Sequence, residues 1–305
     1  MRSRSIPPLS FLIVAGLFSL HVLSIVFGLV GLLVMVPHPQ LYSGIPLAAS
    51  LFPTAMLHGA ETQMILGAAT MIAFGVTTIG VWKTAVFAVV GTIFPLSAEL
   101  MGTGTGWPFG GYSYGGFLGT KLGGRVPYSV PLSWFYMGFA AYLLAVIIVG
   151  GGNWRRVVGA LVLGGWLLTS WDLVLDPAMA APQMPIKFWN WFEVGPYFGM
   201  PLRNLFGWFG TGAAFMVLSR LLWFSDPTPS RIPRWLPFGI YLVDTLWAMA
   251  LSLSVGLWQT AIAAVVCGLL PAALVWVRPR ATARHAAPAF VVDKLTPSGS
   301  SAAGR

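Results

Sequence analysis

Apolar runs of about 20 residues recur along nearly the whole chain, separated by short polar or Gly/Pro-rich stretches. A helix rising 1.5 Å per residue needs a run of about that length to cross a hydrocarbon core about 30 Å thick. Inside that core every backbone N–H and C=O must find a partner within the protein, so only helices or a closed barrel are open to such a sequence. A barrel would show short alternating segments, and these runs do not alternate. The composition agrees, with 57% hydrophobic and only 8% charged residues, against about a quarter charged in soluble domains. The expected fold class is therefore all-α: a polytopic transmembrane helical bundle, one membrane-embedded domain over 1–280. Residues 281–305, small, polar and Pro-containing, are expected to form a disordered tail.

The runs suggest about eight spans (seven to eight), at 9–36, 55–80, 84–101, 130–150, 156–176, 200–223, 236–254 and 257–277. The first is too long for a signal h-region and has no small-x-small cleavage site, so it reads as a retained span. Prolines at 37, 39, 46 and 53 argue for a loop or re-entrant segment over 37–54 rather than one long second helix. Threading the spans alternately leaves Lys121, Arg125, Lys187 and Arg203 on one side and the other thirteen Lys and Arg opposite. That asymmetry predicts cytoplasmic N- and C-termini. It also accounts for the net charge of +9 without nucleic acid as a partner; attraction to anionic lipid is secondary. The expected location is a cell membrane, crossed many times, of the bacterial or archaeal cytoplasmic type. The single Cys267 permits no internal disulfide and no Cys-based metal site.

The eight acids carry the most information. Asp226 and Asp293 fall in loop or tail, as solvated charges; Asp244 lies well inside the seventh span with its role open. The threading brings Glu61, Glu99, Asp172, Asp176 and Glu193 to similar depth near the non-cytoplasmic face, with Arg203 opening span six from that side. A charged side chain within a span costs at least about 2.5–3.5 kcal/mol, so it faces the protein interior and has a partner. Asp172 and Asp176, four residues apart, share a helical face; His58 and Glu61, three apart, could do the same. Asp176 precedes Pro177 and could equally cap the next segment. Glu193 reads as interfacial or Arg-paired, and Arg203 as a counter-ion for one acid. Inward-facing acids at close quarters hold protons at neutral pH, so one site could be both acid and base.

Two loops frame these acids. "MGTGTGWPFGGYSYGG" (101–116) fits neither G-x-G-x-x-G nor G-x4-G-K-[ST] and lies in no βαβ unit, which excludes nucleotide binding. Its glycines permit close backbone approach, while Trp107, Phe109, Tyr112 and Tyr114 offer flat apolar faces: a lid dipping against the bundle. "FWNWFEVGPYFGMPLRNLFGWFG" (188–210) repeats the theme, with Trp191 and Asn204 beside acid, and Trp171 flanks Asp172. Trp82, Trp154, Trp235 and Trp276 fit an interfacial belt instead. Aromatics and carboxylates converging from two loops suit a long apolar substrate entering from the bilayer, and a carbocation, which a desolvated aromatic face stabilises by about 2 kcal/mol.

Four histidines without clustering exclude the His boxes of membrane di-iron enzymes; a metal site from His58 with Glu61, Glu99 or Asp172 stays open, with no recognised ligand spacing to support it. No G-x-S-x-G nucleophile occurs. Cofactor-free acid–base chemistry remains.

"HGAETQMILG" (58–67), "ELMGTGTGWPFGGYSYGG" (99–116) with "VPYSVPLSW" (126–134), "SWDLVLDPAM" (170–179) and "YFGMPLRNLFGWF" (197–209) together resemble the integral-membrane carotenoid 1,2-hydratases, of the bisanhydrobacterioruberin hydratase and cyanobacterial γ-carotene hydratase type. The acid–Gly–Thr–aromatic–Tyr-x-Tyr run is the most specific part, and the resemblance covers 58–210. It implies addition of water across the terminal 1,2 double bond of an acyclic (ψ) carotenoid end group, with no redox cofactor. The partners expected are the carotenoid, membrane lipid and other carotenoid-pathway enzymes. On this reading Asp172 or Glu99 protonates C2, aromatics such as Trp107, Tyr112, Tyr114 and Trp171 flank the tertiary cation, and Glu61 or Asp176 takes a proton from water. Rivals are a membrane lycopene cyclase, which loses a proton instead of adding water, a proton-coupled transporter with relay acids, and an inactive assembly subunit.

Overall fold

A computed structural model describes residues 8–225 and 227–278. The basic residues near the N-terminus, Asp226, Asp293 and the tail expected over 281–305 lie outside them. The helices are α1 (Leu9–Val30, continued by a π-helical turn Gly31–Met35), α2 (Pro46–Thr78), α3 (Val81–Thr105), α4 (Ser129–Val149), α5 (Trp154–Met179), α6 (Leu202–Leu221) and α7 (Trp235–Ser254). The last apolar run is continuous but composite: α8 (Trp258–Ala263), a π-helical stretch Ala264–Leu269, and α9 (Leu270–Val277). All eight expected segments are helical. Among the described residues six helices are long and apolar enough to cross a membrane; α2 and α6 are not among them. The reason is in their sequences: α2 carries His58, Glu61, Thr62 and Gln63, and α6 carries Arg203, Asn204 and Arg220.

The loop or re-entrant segment expected over 37–54 is a loop only as far as Ile45, because α2 starts at Pro46. Pro46 occupies the first turn, where no N–H is needed, and Pro53 forfeits a single intrahelical bond, which a helix of 33 residues tolerates. The all-α expectation holds, with two short two-stranded ribbons added in the loops. Strands β1 (Tyr112–Tyr114) and β4 (Trp189–Trp191) pair antiparallel with Tyr112 opposite Trp191 and Tyr114 opposite Trp189, and β2 (Lys121–Leu122) pairs with β3 (Val126–Pro127).

The organising element is α4, apolar all round and buried at every residue but Leu132 and Val149, as expected of a helix inside a bundle. It packs against α2, α3, α5 and α7. Lipid offers no hydrophobic drive between helices, so close backbone approach at small residues substitutes. At Gly138 a Cβ would lie 2.4 Å from the Phe215 ring, and at Gly164 3.0 Å from Met216. The π-helical turn near the chain's end leaves the Cys267 carbonyl to accept from Trp166 Nε1 and Ser170 Oγ, both at 2.9 Å, which ties α5 to it.

Candidate functional site

The glycine-rich stretch begins as helix: α3 runs on to Thr105 and stops at Gly106, whose φ of +79° is the left-handed C-terminal conformation glycine permits. The chain then turns back, and β1 zips against β4, so the two aromatic loops form one cover. Alternation along β1 buries Tyr112 and Tyr114 and leaves Ser113 exposed.

Both buried phenols reach Glu99, one helical turn and a half before the end of α3 and only 3% exposed. Tyr112 donates to Glu99 Oε2, Tyr114 donates to the same oxygen at 2.9 Å, and Trp134 Nε1 of α4 donates to Oε1 at 2.9 Å. Burial, and then the charge of Glu99, push both phenols well above their ordinary range, so they stay protonated and remain donors. Tyr112 also feels Asp176, which puts that acid near the same cluster.

Asp172 and Asp176 are buried on one face of α5, and Asn204 of α6 holds both. Its amide donates 2.8 Å to Asp172 Oδ2 and 2.5 Å to Asp176 Oδ2. Asp176 lies inside α5, its carboxylate turned to Asn204, so it does not cap the segment after Pro177. Asp172 Oδ1 is buried without a hydrogen-bond partner among the described residues, as are the indole N–H groups of Trp189 and Trp191.

Glu99, Asp176 and Asn204 share the wall of one cavity. Its remaining surface is mostly aromatic. Trp134 stacks on Trp208 at 3.8 Å and 18°, Trp171 meets Trp208 edge-on at 6.0 Å, and Phe109, Tyr112, Tyr114 and Trp191 close the side under the loops. Of the residues expected from sequence, Glu99, Asp176, Phe109, Tyr112, Tyr114, Trp171, Trp191 and Asn204 meet here, and Asp172 stands just behind.

Three others do not. Glu61 is not on the cavity wall: it accepts from Tyr128 at 2.6 Å and contacts His58 Nδ1 at 3.1 Å. That hydrogen bond is the main cause raising the Tyr128 phenol. Trp107 is 63% exposed, in a separate outer groove with Phe94 and Phe206. Arg203 pairs at 2.7 Å with Glu193, both about half exposed, and is no counter-ion for the buried acids.

Residues without a distinguishing sequence signal also stand on the cavity wall. Trp134, Trp208, Trp189, Ser133 and Tyr136 line it; all but Trp189 sit in apolar helical runs, where nothing distinguishes a wall from a core. Asp244, left open above, accepts from Tyr136 at 2.8 Å and contacts His21 Nε2 at 3.0 Å. A histidine in the first span was the available signal. Tyr197, beside the α5 acids, donates at 3.1 Å to the Leu173 carbonyl; burial, then Asp172, push it up to about 12. Among the described residues no group of three His, Cys, Asp or Glu is placed to hold a metal ion.

Comparison with known proteins adds a family. A family model described as carotenoid biosynthesis protein matches residues 59–271. The chain is 36% identical over 128 residues to bisanhydrobacterioruberin hydratase of Haloarcula japonica; the matched stretch is 42% of this chain and 41% of that protein. No solved structure matches the chain.

Proposed function

From the chain's membership of the carotenoid biosynthesis protein family, to which it belongs over residues 59–271, we propose that it adds water across the terminal 1,2 double bond of an acyclic carotenoid. The observation that carries this reading is one aromatic-walled cavity bearing two acid centres with opposite surroundings. Glu99 has three donors aimed at it, the arrangement of an acceptor. Asp172 and Asp176 share a single amide, and Arg203 is spent on Glu193. Two buried carboxylates side by side, with no cation beside them among the described residues, cannot both be charged, so this pair carries a proton.

Asp176, the member on the cavity wall, gives that proton to C2 of the end group; the π electrons form the new C–H bond and leave a tertiary cation at C1. The Trp134 and Trp208 faces stabilise the cation by about 2 kcal/mol in a desolvated site. The oxygen of a water molecule bonds to C1, and Glu99 takes the proton released. The proton Asp176 loses equals the one Glu99 gains, and exchange with water restores both. Nothing is oxidised or reduced. The identity to a hydratase over part of the chain supports the same reaction class. The polyene reaches the cavity from the bilayer, and the chain works in the cell membrane with both termini in the cytoplasm, beside the enzymes that supply its substrate.

The test is expression in cells that make lycopene. The wild-type chain gives a product heavier by one water, and Glu99→Gln and Asp176→Asn, inserted at normal levels, give none. An isomeric cyclic product would instead mark a cyclase, and unchanged lycopene and other acyclic carotenoids would refute the reading.

A further inference from the structure

Behind the cavity lies a buried polar chain that the scheme above does not use. His21 of α1 and Asp244 of α7 are both fully buried, and Tyr136 of α4 is 1% exposed. His21 Nδ1 is 3.0 Å from the Gln63 carbonyl, which can only accept, so Nδ1 carries a hydrogen. Nε2 is 3.0 Å from Asp244 Oδ2, and Tyr136 donates at 2.8 Å to Asp244 Oδ1. With Nδ1–H fixed, the Nε2···Oδ2 contact needs one more proton, on either atom, and the pair is neutral overall. That removes the cost of burying a lone carboxylate.

The cluster is also tightly enclosed. His21 and Tyr136 meet edge-on at 5.6 Å. A Cβ at Gly67 of α2 would lie 3.0 Å from the Tyr136 ring and 3.1 Å from His21. Tyr136 therefore has its ring wedged and its only proton committed to Asp244. Tyr136 also borders the cavity, whose wall it shares with Glu99 and Asp176, and with its proton given to Asp244 its oxygen keeps acceptor capacity. In a cavity otherwise walled mostly by aromatic faces, such an oxygen suits a water molecule.

We propose that Tyr136 holds the water that captures the cation, and that Asp244 and His21 are positioning residues that keep the phenol proton turned away from it. This rests on the hydratase reading. Capture competes with loss of a proton from the carbons next to C1, which regenerates an alkene. In D₂O the acid delivers deuterium to C2, so a cation that escapes capture and sheds a protium returns as deuterium-labelled lycopene.

The experiment supplies unlabelled lycopene to membranes containing the full chain in D₂O and measures labelled lycopene against hydrated product by mass. Tyr136→Phe is expected to raise that ratio about tenfold, the worth of one well-made hydrogen bond. Asp244→Asn can still accept from Tyr136 and donate to Nε2 of neutral His21, so its ratio stays near wild type. Asp244→Leu, which frees the phenol to turn, shifts like Tyr136→Phe. An unchanged ratio in Tyr136→Phe would overturn the proposal; so would Asp244→Asn shifting as far as Asp244→Leu, a comparison that holds even if Tyr136→Phe does not fold. Absence of hydrated product from the wild-type chain would be a failure of the hydratase reading instead.

Discussion

Glu99→Gln changes one atom's chemistry at the point where α3, α4 and the loop cover meet, and its cost can be worked from three hydrogen bonds. With the amide oxygen toward Tyr112 and Tyr114, the new NH₂ faces Trp134 Nε1, a donor fixed 2.9 Å from the carboxylate. With the amide turned over, the two phenol protons lose their acceptor instead. Either orientation strands a buried donor, at about 1–3 kcal/mol, and the bonds that survive fall from charge-assisted to neutral strength, so the variant should lose roughly 2–5 kcal/mol. Trp134→Phe removes the stranded N–H. The double variant should then be less destabilised than the two singles combined, by about 1–3 kcal/mol of coupling. Unfolding in mixed micelles with a denaturing detergent, followed by circular dichroism, measures all four corners of the cycle. A Glu99→Gln protein as stable as wild type, or strict additivity with Trp134→Phe, would refute this account of how Glu99 is held.

Other consequences are accessible to the same preparations. Gly102→Ala sets a Cβ 2.8 Å from Phe109 and 3.2 Å from the Tyr112 hydroxyl, and overpacking of about 1–3 kcal/mol should accompany loss of product; Gly210→Ala, with nothing within 4 Å, should leave both stability and pigment unchanged. Glu193→Gln breaks an ion pair whose partners are about half exposed, so unfolding should shift by at most about 1 kcal/mol and pigment not at all. Asn204→Leu withdraws the amide that holds both Asp172 and Asp176 and should abolish hydration while the wild-type insertion level persists. Tyr112 and Tyr114 are held above their ordinary value of 10.0. Stability from a raised group is present below the ordinary value and drains as pH climbs toward the raised one, so unfolding should become easier only above roughly pH 10, and Tyr112→Phe should blunt that fall.

Much of this site was legible because charge is scarce in apolar sequence. Glu99, Asp172 and Asp176 stood out as acids within or at the ends of spans, and helical spacing put the two aspartates on one face. The aromatic loops announced a shared cover, which β1 and β4 realise by pairing Tyr112 with Trp191 and Tyr114 with Trp189. Reading failed where only three-dimensional contact separates neighbours. Trp107 and Phe109 are two residues apart, yet one is 63% exposed and the other 1%. Glu61 reads like the other acids until Tyr128 is seen to claim it. Arg203 sits beside Asn204 in sequence, but the helix turns the cation outward to Glu193 and the amide inward. Trp134, Trp208 and Tyr136 were silent because an apolar helix gives no sign of which aromatic borders a cavity. Proline reads as a breaker at 46, yet the first turn of α2 accepts it there.

Tracing the hydroxyl oxygen tests the central claim most directly. Membranes containing the chain, supplied with lycopene in ¹⁸O-labelled water, should yield a hydroxylated carotenoid whose new oxygen is ¹⁸O, formed as well without air and absent with Asp176→Asn. A hydroxyl oxygen that comes from O₂, or labelled product that persists when Asp176 and Glu99 are both replaced by their amides, would contradict it.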